Sequence, residues 1–367
     1  MQVTARSFAK INLGLRIGPL RADGFHELRT VYQTIALHDV IHVEVQRGSG
    51  IEIRCDDPPV PRDNSNTCYK IVEKAMVPLR AHGRVVITIE KRLPVQGGLG
   101  GASGNAVAAL LALERALKKA VPWPEKLRIG AVVGSDLPLF LIGGTVLGVG
   151  HGEEVYPLPD LPSMPCVVAI PEIGVSTAKA FADWDAYLAT LQKHCHSESA
   201  SAGEESAFKD HNKADSSGDK SPLGMTRSLP RQKLTQATPS DRITELGRAL
   251  SAWLISQSKT GKVLSGVSAK GGGRAGNPLL DLVRTGIEND FEQVVFPQYP
   301  ELREVKSVLL RAGAFYASLS GSGSASYGLF ESRITAEKAA TRLRNRGVPA
   351  QVTTTMTRQQ YWRKIFD

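Results

Sequence analysis

Apolar and polar positions alternate through RVVITIEKRLP, with Val86, Thr88 and Glu90 on one side, and this alternation predicts a strand. The segment AVAALLALERALKKA further on is an unbroken run of helix formers. It closes on Lys118 and Lys119, where cations suit the negative end of a helix running through Ala120. Joining the two, PVQGGLGGASGNA (Pro94 to Ala106) packs five glycines into a strand-to-helix loop.

The same pattern organises the rest of the chain. Strands, glycine turns and a few helices alternate up to GGTVLGVGHGEEVYPLP, after which Pro157, Pro159, Pro162 and Pro165 punctuate it. A boundary near residue 160 is predicted, giving a first domain over 1–160 and a second over 161–367. The second opens with the strand CVVAIP, Cys166 to Pro171, and closes with the helical AEKAATRLRNR and the strand-like AQVTTTM. Between these, residues 196–241 are rich in Ser, Lys, Asp and Glu and poor in aliphatics, which predicts a disordered surface insertion. An amphipathic segment, RITELGRALSAWLIS, follows it, and SAKGGGRAGNP, Ser268 to Pro278, is expected to be a second mobile loop.

At 367 residues the chain has room for about two domains. No stretch is long and apolar enough to span a membrane, and MQVTARSFAKINLGLRIG is mixed and strand-like rather than a charged-then-apolar leader; the expectation is a cytoplasmic protein with no membrane partner. Cys55, Cys68, Cys166 and Cys195 lack any Cys-x-x-Cys spacing, which argues for reduced thiols and against a zinc site. His194 and His196 flank Cys195 in a polar stretch without a second ligand pair. The formal charge of +9 suits nucleic acid or an anionic small substrate, and no basic run with interleaved aromatics favours the former.

The glycine loop narrows the choice. Glycines let backbone N–H groups approach an anion without a Cβ in the way, and a helix start leaves further N–H groups unpaired, so the loop outlines a phosphate site. It is not a P-loop, because Gly101-Ala102-Ser103 stands where Gly-Lys-Ser or Gly-Lys-Thr is required. Nor is it a dinucleotide fingerprint: Gly98-Leu99-Gly100 is followed by Ser103, and no acidic residue is placed for a ribose. The protein-kinase motifs His-Arg-Asp and Asp-Phe-Gly are missing.

The stretches AKINL, DGFHEL, LPVQGGLGGASGNA, GSDLPLFL, GIENDFE and LSGSGSASYGLF, in this order, resemble the GHMP kinase superfamily, named for its galacto-, homoserine, mevalonate and phosphomevalonate kinases. Within it they are similar to the branch acting on a CDP-linked methylerythritol in the non-mevalonate isoprenoid route. The resemblance implies an α+β, two-lobed GHMP kinase fold, with an N-terminal ribosomal-protein-S5-domain-2-like lobe and a C-terminal α/β lobe. It implies transfer of the γ-phosphoryl group of ATP, with Mg²⁺, onto a tertiary 2-hydroxyl. The partner would be this small molecule and no nucleic acid, and the chain a monomer or homodimer.

Position by position, the resemblance places Lys10 and Asp136 on the catalytic lysine and aspartate. It places Pro94, Val95, Gln96, Gly97, Gly98, Leu99, Gly100, Gly101, Ala102, Ser103 and Gly104 on the ATP loop, with Asn66 and Thr67 on the adenine side. Gln96, Ala102 and Gly104 depart from the usual residues of that loop. Ser103 could offer a hydroxyl to phosphate or Mg²⁺, cap the helix, or do both. On the substrate side fall Asn12, Phe25 as a stacking ring for cytosine, His26 bonding to the base, Ser176 and Thr177. Ser320, Gly321, Ser322 and Gly323 fall on a second glycine-rich loop closing on the phosphates.

These roles are chemically sensible. A tertiary alcohol is a poor nucleophile, so a carboxylate can orient it and accept its proton while an ammonium neutralises charge on the moving phosphoryl group. From local sequence alone, Asp136 could equally cap a helix before Leu137-Pro138, and Lys10 could be an exposed strand residue. Two rivals remain at this level: a kinase for another small alcohol, which gives no reason for DGFHEL, and a non-catalytic RNA-binding protein, which gives none for Lys10, Asp136 and the loop together.

Overall fold

The computed structural model describes residues 2–95, 97–204 and 288–366. Gln96, the amphipathic segment 242–256 and the loop expected at 268–278 lie outside them.

The AKINL and DGFHEL segments become two long strands, β1 (Gln2–Leu20) and β2 (His26–Gln46), paired antiparallel so that Lys10 faces Thr34 and Asn12 faces Tyr32. Bulges after Phe8, Asn12 and Ile17 re-aim the side chains along β1. Around this pair a six-stranded sheet forms with β3 (Gly50–Cys55), β4 (Arg84–Glu90), β5 (Thr145–Val149) and β6 (Glu154–Pro157), in the order β3-β4-β2-β5-β6 with β1 against β2. β3 and β4 run parallel; the other pairs are antiparallel.

Four helices follow from the first half: α1 (Thr67–Met76), α2 (Gly101–Leu117), α3 (Trp123–Val133) and α4 (Leu137–Ile142). Helix α1 is amphipathic, burying Cys68, Ile71, Val72 and Ala75 on one face. Helix α2 is buried from Gly104 to Glu114, and its alanines let it press closely on β1 and β2. It stops at Leu117 because Lys118 adopts a left-handed conformation, φ 52°, so it falls short of Ala120.

The second sheet is a four-stranded antiparallel one, ordered β10-β7-β9-β8, of β7 (Pro165–Ala169), β8 (Tyr316–Leu319), β9 (Ser326–Leu329) and β10 (Ala350–Thr354). Its helices are α5 (Thr177–Glu204), α6 (Glu292–Gln298), α7 (Pro300–Arg311) and α8 (Arg333–Arg344). Helix α5 continues past His196 to Glu204, so the start of the stretch expected to be disordered is helical; its remainder lies outside the described residues. The last helix, α9 (Arg358–Lys364), crosses back. Tyr361 and Ile365 join the core of the first sheet and the amide of Arg6 donates to Ile365 O at 2.7 Å, so a second domain running unbroken from 161 to 367 does not describe this helix.

One apolar cluster joins the sheets. Ala9, Ile11 and Leu13 of β1 and Val31 and Ile35 of β2 pack with Cys166, Val168, Ala325, Tyr327 and Leu329. Leu99, from the middle of the glycine loop, is plugged into the same cluster at 2% exposure. The loop is therefore held by the core itself.

Candidate active site

The loop between β4 and α2 takes the shape that only glycine allows at two points. Gly98 and Gly100 have φ of +73° and +71°, and a Cβ on Gly98 would lie 2.1 Å from the carbonyl oxygen of Ser320. At Gly100 it would strike the Phe140 ring at 2.9 Å and the Lys10 stem at 3.0 Å. Gly100 is also the N-cap of α2 and brings no side-chain cap. Ser103 therefore sits inside the first turn and is not the cap. The opening of α2 is left to present its backbone N–H groups and positive dipole end to a ligand.

That opening lines a cavity of ≈ 390 Å³ bounded by Pro59–Pro61, Asn66–Cys68, Lys91, Pro94, Val95 and residues 97–103. Asn66 caps α1, accepting from Cys68 N at 2.8 Å, and donates to Pro61 O at 2.6 Å; Thr67 donates to Ala102 O at 2.9 Å. Both line the cavity mainly by shaping its wall. Asp39, wholly buried, accepts from Lys91 Nζ and from the amides of Arg92 and Leu93 at 2.6–2.8 Å, which clamps the entry to the loop. Burial pushes the Cys68 thiol up to about 12, so it offers no thiolate here.

A second cavity of ≈ 710 Å³ lies across Gly98 and Gly100, which line both. Lys10 and Asp136 meet in it, Nζ to Oδ2 at 3.6 Å. Lys10 is 4% exposed and donates to Asn12 Oδ1 at 2.7 Å; Asn12 donates to Thr30 Oγ1, which donates to Gly14 O, each at 2.7 Å. Burial pulls the Lys10 ammonium below its ordinary pKa, and the Asp136 carboxylate opposes the shift. Asp136 precedes α4 but makes no capping bond; its carboxylate turns inward to Lys10 and to Tyr32, whose hydroxyl donates to Oδ1 at 3.0 Å.

At the mouth of this cavity Phe25 is 57% exposed, its ring 5.0 Å from that of His151. His26 is buried, bonded through Nε2 to Asp185 at 2.8 Å and stacked on Phe181 at 5.0 Å and 10°. Thr177 and Ser322 meet at 2.8 Å on its wall, beside Gly321. Three expected residues lie elsewhere. Ser176 starts α5, its hydroxyl accepting from Lys179 N, and faces a small separate hollow. Ser320 and Gly323 pack under the first glycine loop instead of lining the cavity, with Ser320 Oγ donating to Gly98 O at 2.9 Å.

The GHMP kinases N terminal domain matches residues 66–144 and the GHMP kinases C terminal region residues 277–349. The 4-diphosphocytidyl-2-C-methyl-D-erythritol kinase of Solibacter usitatus is 34% identical over 89% of this chain and 81% of its own length. The chain belongs to this kinase family. Its namesake from Moorella thermoacetica is 30% identical over 96% of this chain and 99% of its own. The crystal structure of a 4-(cytidine 5'-diphospho)-2C-methyl-D-erythritol kinase superposes with a TM-score of 0.61 at 26% identity, covering 96% of this chain and 98% of that one. A homoserine kinase from Cytophaga hutchinsonii has a TM-score of 0.62 at 18% identity, covering 98% and 96%, and shares the fold.

As a member of the GHMP kinases the chain is a small-molecule phosphotransferase. Among the cavity-lining residues that sequence reasoning missed are Tyr32, Lys91, His151, Phe181 and Asp185. Phe181 and Asp185 had a signal, since they follow Thr177 at i+4 and i+8 on one helical face. Tyr32 lies an even number of residues along β2 from His26 and Thr30, on the side that faces the cavity.

Proposed function

We propose that the chain transfers the γ-phosphoryl group of ATP to the 2-hydroxyl of 4-diphosphocytidyl-2-C-methyl-D-erythritol. ATP occupies the smaller cavity and the alcohol the larger one. The observation that carries this reading is the Lys10–Asp136 pair, placed where two cavities meet across Gly98 and Gly100.

The triphosphate lies along the glycine loop and the opening of α2, whose N–H groups and dipole favour negative charge. From the other side Asp136 accepts a hydrogen bond from the alcohol and then its proton. The alcohol oxygen bonds to the γ-phosphorus, the bond from that phosphorus to the bridging oxygen breaks, and ADP leaves with the electron pair. Lys10, 3.6 Å from the carboxylate, faces the oxygens of the moving group. Asn12 and Thr30 fix the ammonium in place.

Among the described residues no cluster of three or more His, Cys, Asp or Glu could cage a metal. The donor set fits magnesium carried in by the phosphates, with Ser103 as the hydroxyl on the cavity wall. Bound there, the ion supplies neutralisation of phosphate charge.

Phe25 supports the cytidyl substrate: a large ring left in solvent beside His151 offers a face to a base. Purified protein with ATP and Mg²⁺ should release ADP with the CDP-linked methylerythritol and not with homoserine or mevalonate. Faster release with either of the latter would reject this substrate.

A further inference from the structure

Tyr32 is unexplained by the glycine loop or by the Lys10–Asp136 pair. We propose that Tyr32 is a positioning residue, whose hydroxyl fixes Asp136 through Oδ1 and leaves Oδ2, on the Lys10 side, to meet the acceptor alcohol. The inference rests on Asp136 being the proton acceptor.

The surroundings are shaped for a phenol, hydroxyl included. The side chain is 3% exposed, its hydroxyl donates to Asp136 Oδ1 at 3.0 Å, and Lys10 Nζ sits 5.7 Å from the ring centre. Opposite the ring stands Gly148, where a Cβ would come within 2.5 Å of it. Opposite the hydroxyl stands Gly152, φ +102°, where a Cβ would come within 2.7 Å of the oxygen. A phenylalanine would fill the first hollow and leave the second empty. Burial and the nearby carboxylate raise the phenol's pKa well above its ordinary value, so it stays a donor throughout the working range.

A carboxylate on a turn, 31% exposed, has several rotamers open to it. One hydrogen bond from a locked donor selects among them, and that is how a second layer of groups aids proton transfer. Other titratable groups stand nearby: Lys10 from β1, 3.6 Å from Asp136, and in the turn between β5 and β6 His151, which lines the same cavity and is bonded to Ser135 Oγ at 2.7 Å, with Glu153 3.3 Å from it. Tyr32→Phe leaves all of these in place.

The test compares Tyr32→Phe, Asp136→Asn and the double variant by kcat and by KM for each substrate. Tyr32→Phe is expected to lower kcat about tenfold and leave both KM values within about twofold. In the Asp136→Asn background the same change should cost nothing further. A parental kcat in Tyr32→Phe, with Asp136→Asn inactive, overturns the positioning role alone. Both KM values raised together with a lower thermal midpoint also overturn it, as a packing role would give that pattern. Full activity in Asp136→Asn instead overturns the proton-acceptor reading beneath it.

Discussion

The backbone amide of Lys10 donates to the carbonyl of Leu99 at 2.9 Å. The strand that carries the ammonium is thus fastened to the loop that opens α2, and Leu99 is in turn buried between the two sheets. The protein's own bonds and packing hold loop and ammonium at a fixed spacing, which is the preorganisation that electrostatic stabilisation of phosphoryl transfer requires.

Gly98→Ala should break this assembly. The new methyl would sit 2.1 Å from the Ser320 carbonyl at a φ that L-residues avoid. A loss of about 1–3 kcal/mol in stability is expected, together with a raised KM for ATP. Thermal melts with and without nucleotide check this; a variant with the parent's midpoint and ATP affinity would show that the loop is freely adjustable.

Asp136→Asn and Lys10→Ala should each cut turnover by about 10²–10⁴-fold while the fold persists. Neither residue belongs to the apolar clusters that hold the sheets together. Steady-state rates on protein shown folded by its thermal transition decide it, and turnover within a few-fold of the parent would remove that residue from the mechanism.

The Lys10 charge should cost stability. Burial lowers its pKa in the fold, so between that lowered value and the ordinary lysine value the unfolded chain binds more protons than the folded one. Stability due to this group therefore rises with pH through that window and is lowest below it. Lys10→Met should melt higher than the parent at neutral pH while being almost inactive, and a lower melting point would contradict the direction of the shift.

Phe25→Ala should raise KM for the cytidyl substrate by about tenfold to a hundredfold, the range expected for loss of a base stacked on an aromatic. KM for ATP and the melting point should barely move, because the ring is largely in solvent and lines only the larger cavity among the two described here. Both KM values rising together would mark Phe25 as structural.

What the sequence made legible was local. The glycine loop declares a phosphate site by its own residues, whereas Lys10 in AKINL and Asp136 in GSDLP take their roles from the resemblance of the ordered motifs, since their local sequence also allows an exposed strand residue and a helix cap. What it hid was made by pairing across the chain: Tyr32 with Asp136, His26 with Asp185, and Ser320 with Gly98 are brought together only once the two sheets pack. Of the roles left open for Ser103 the capping one falls away, because the left-handed Gly100 starts the helix earlier. The return of Tyr361 and Ile365 to the first sheet left no trace in the hydrophobic pattern, since a buried face does not say against which layer it is buried.

The most direct measurement is of where the phosphate goes. Protein incubated with ATP, Mg²⁺ and 4-diphosphocytidyl-2-C-methyl-D-erythritol should give one ADP per product molecule. That product should be heavier by one phosphoryl group, with phosphorus–carbon coupling by NMR placing the group on C2, and Asp136→Asn should form almost none. A phosphate on another hydroxyl, or ADP released with the substrate unchanged, would contradict the assignment of the two cavities and of the residues between them.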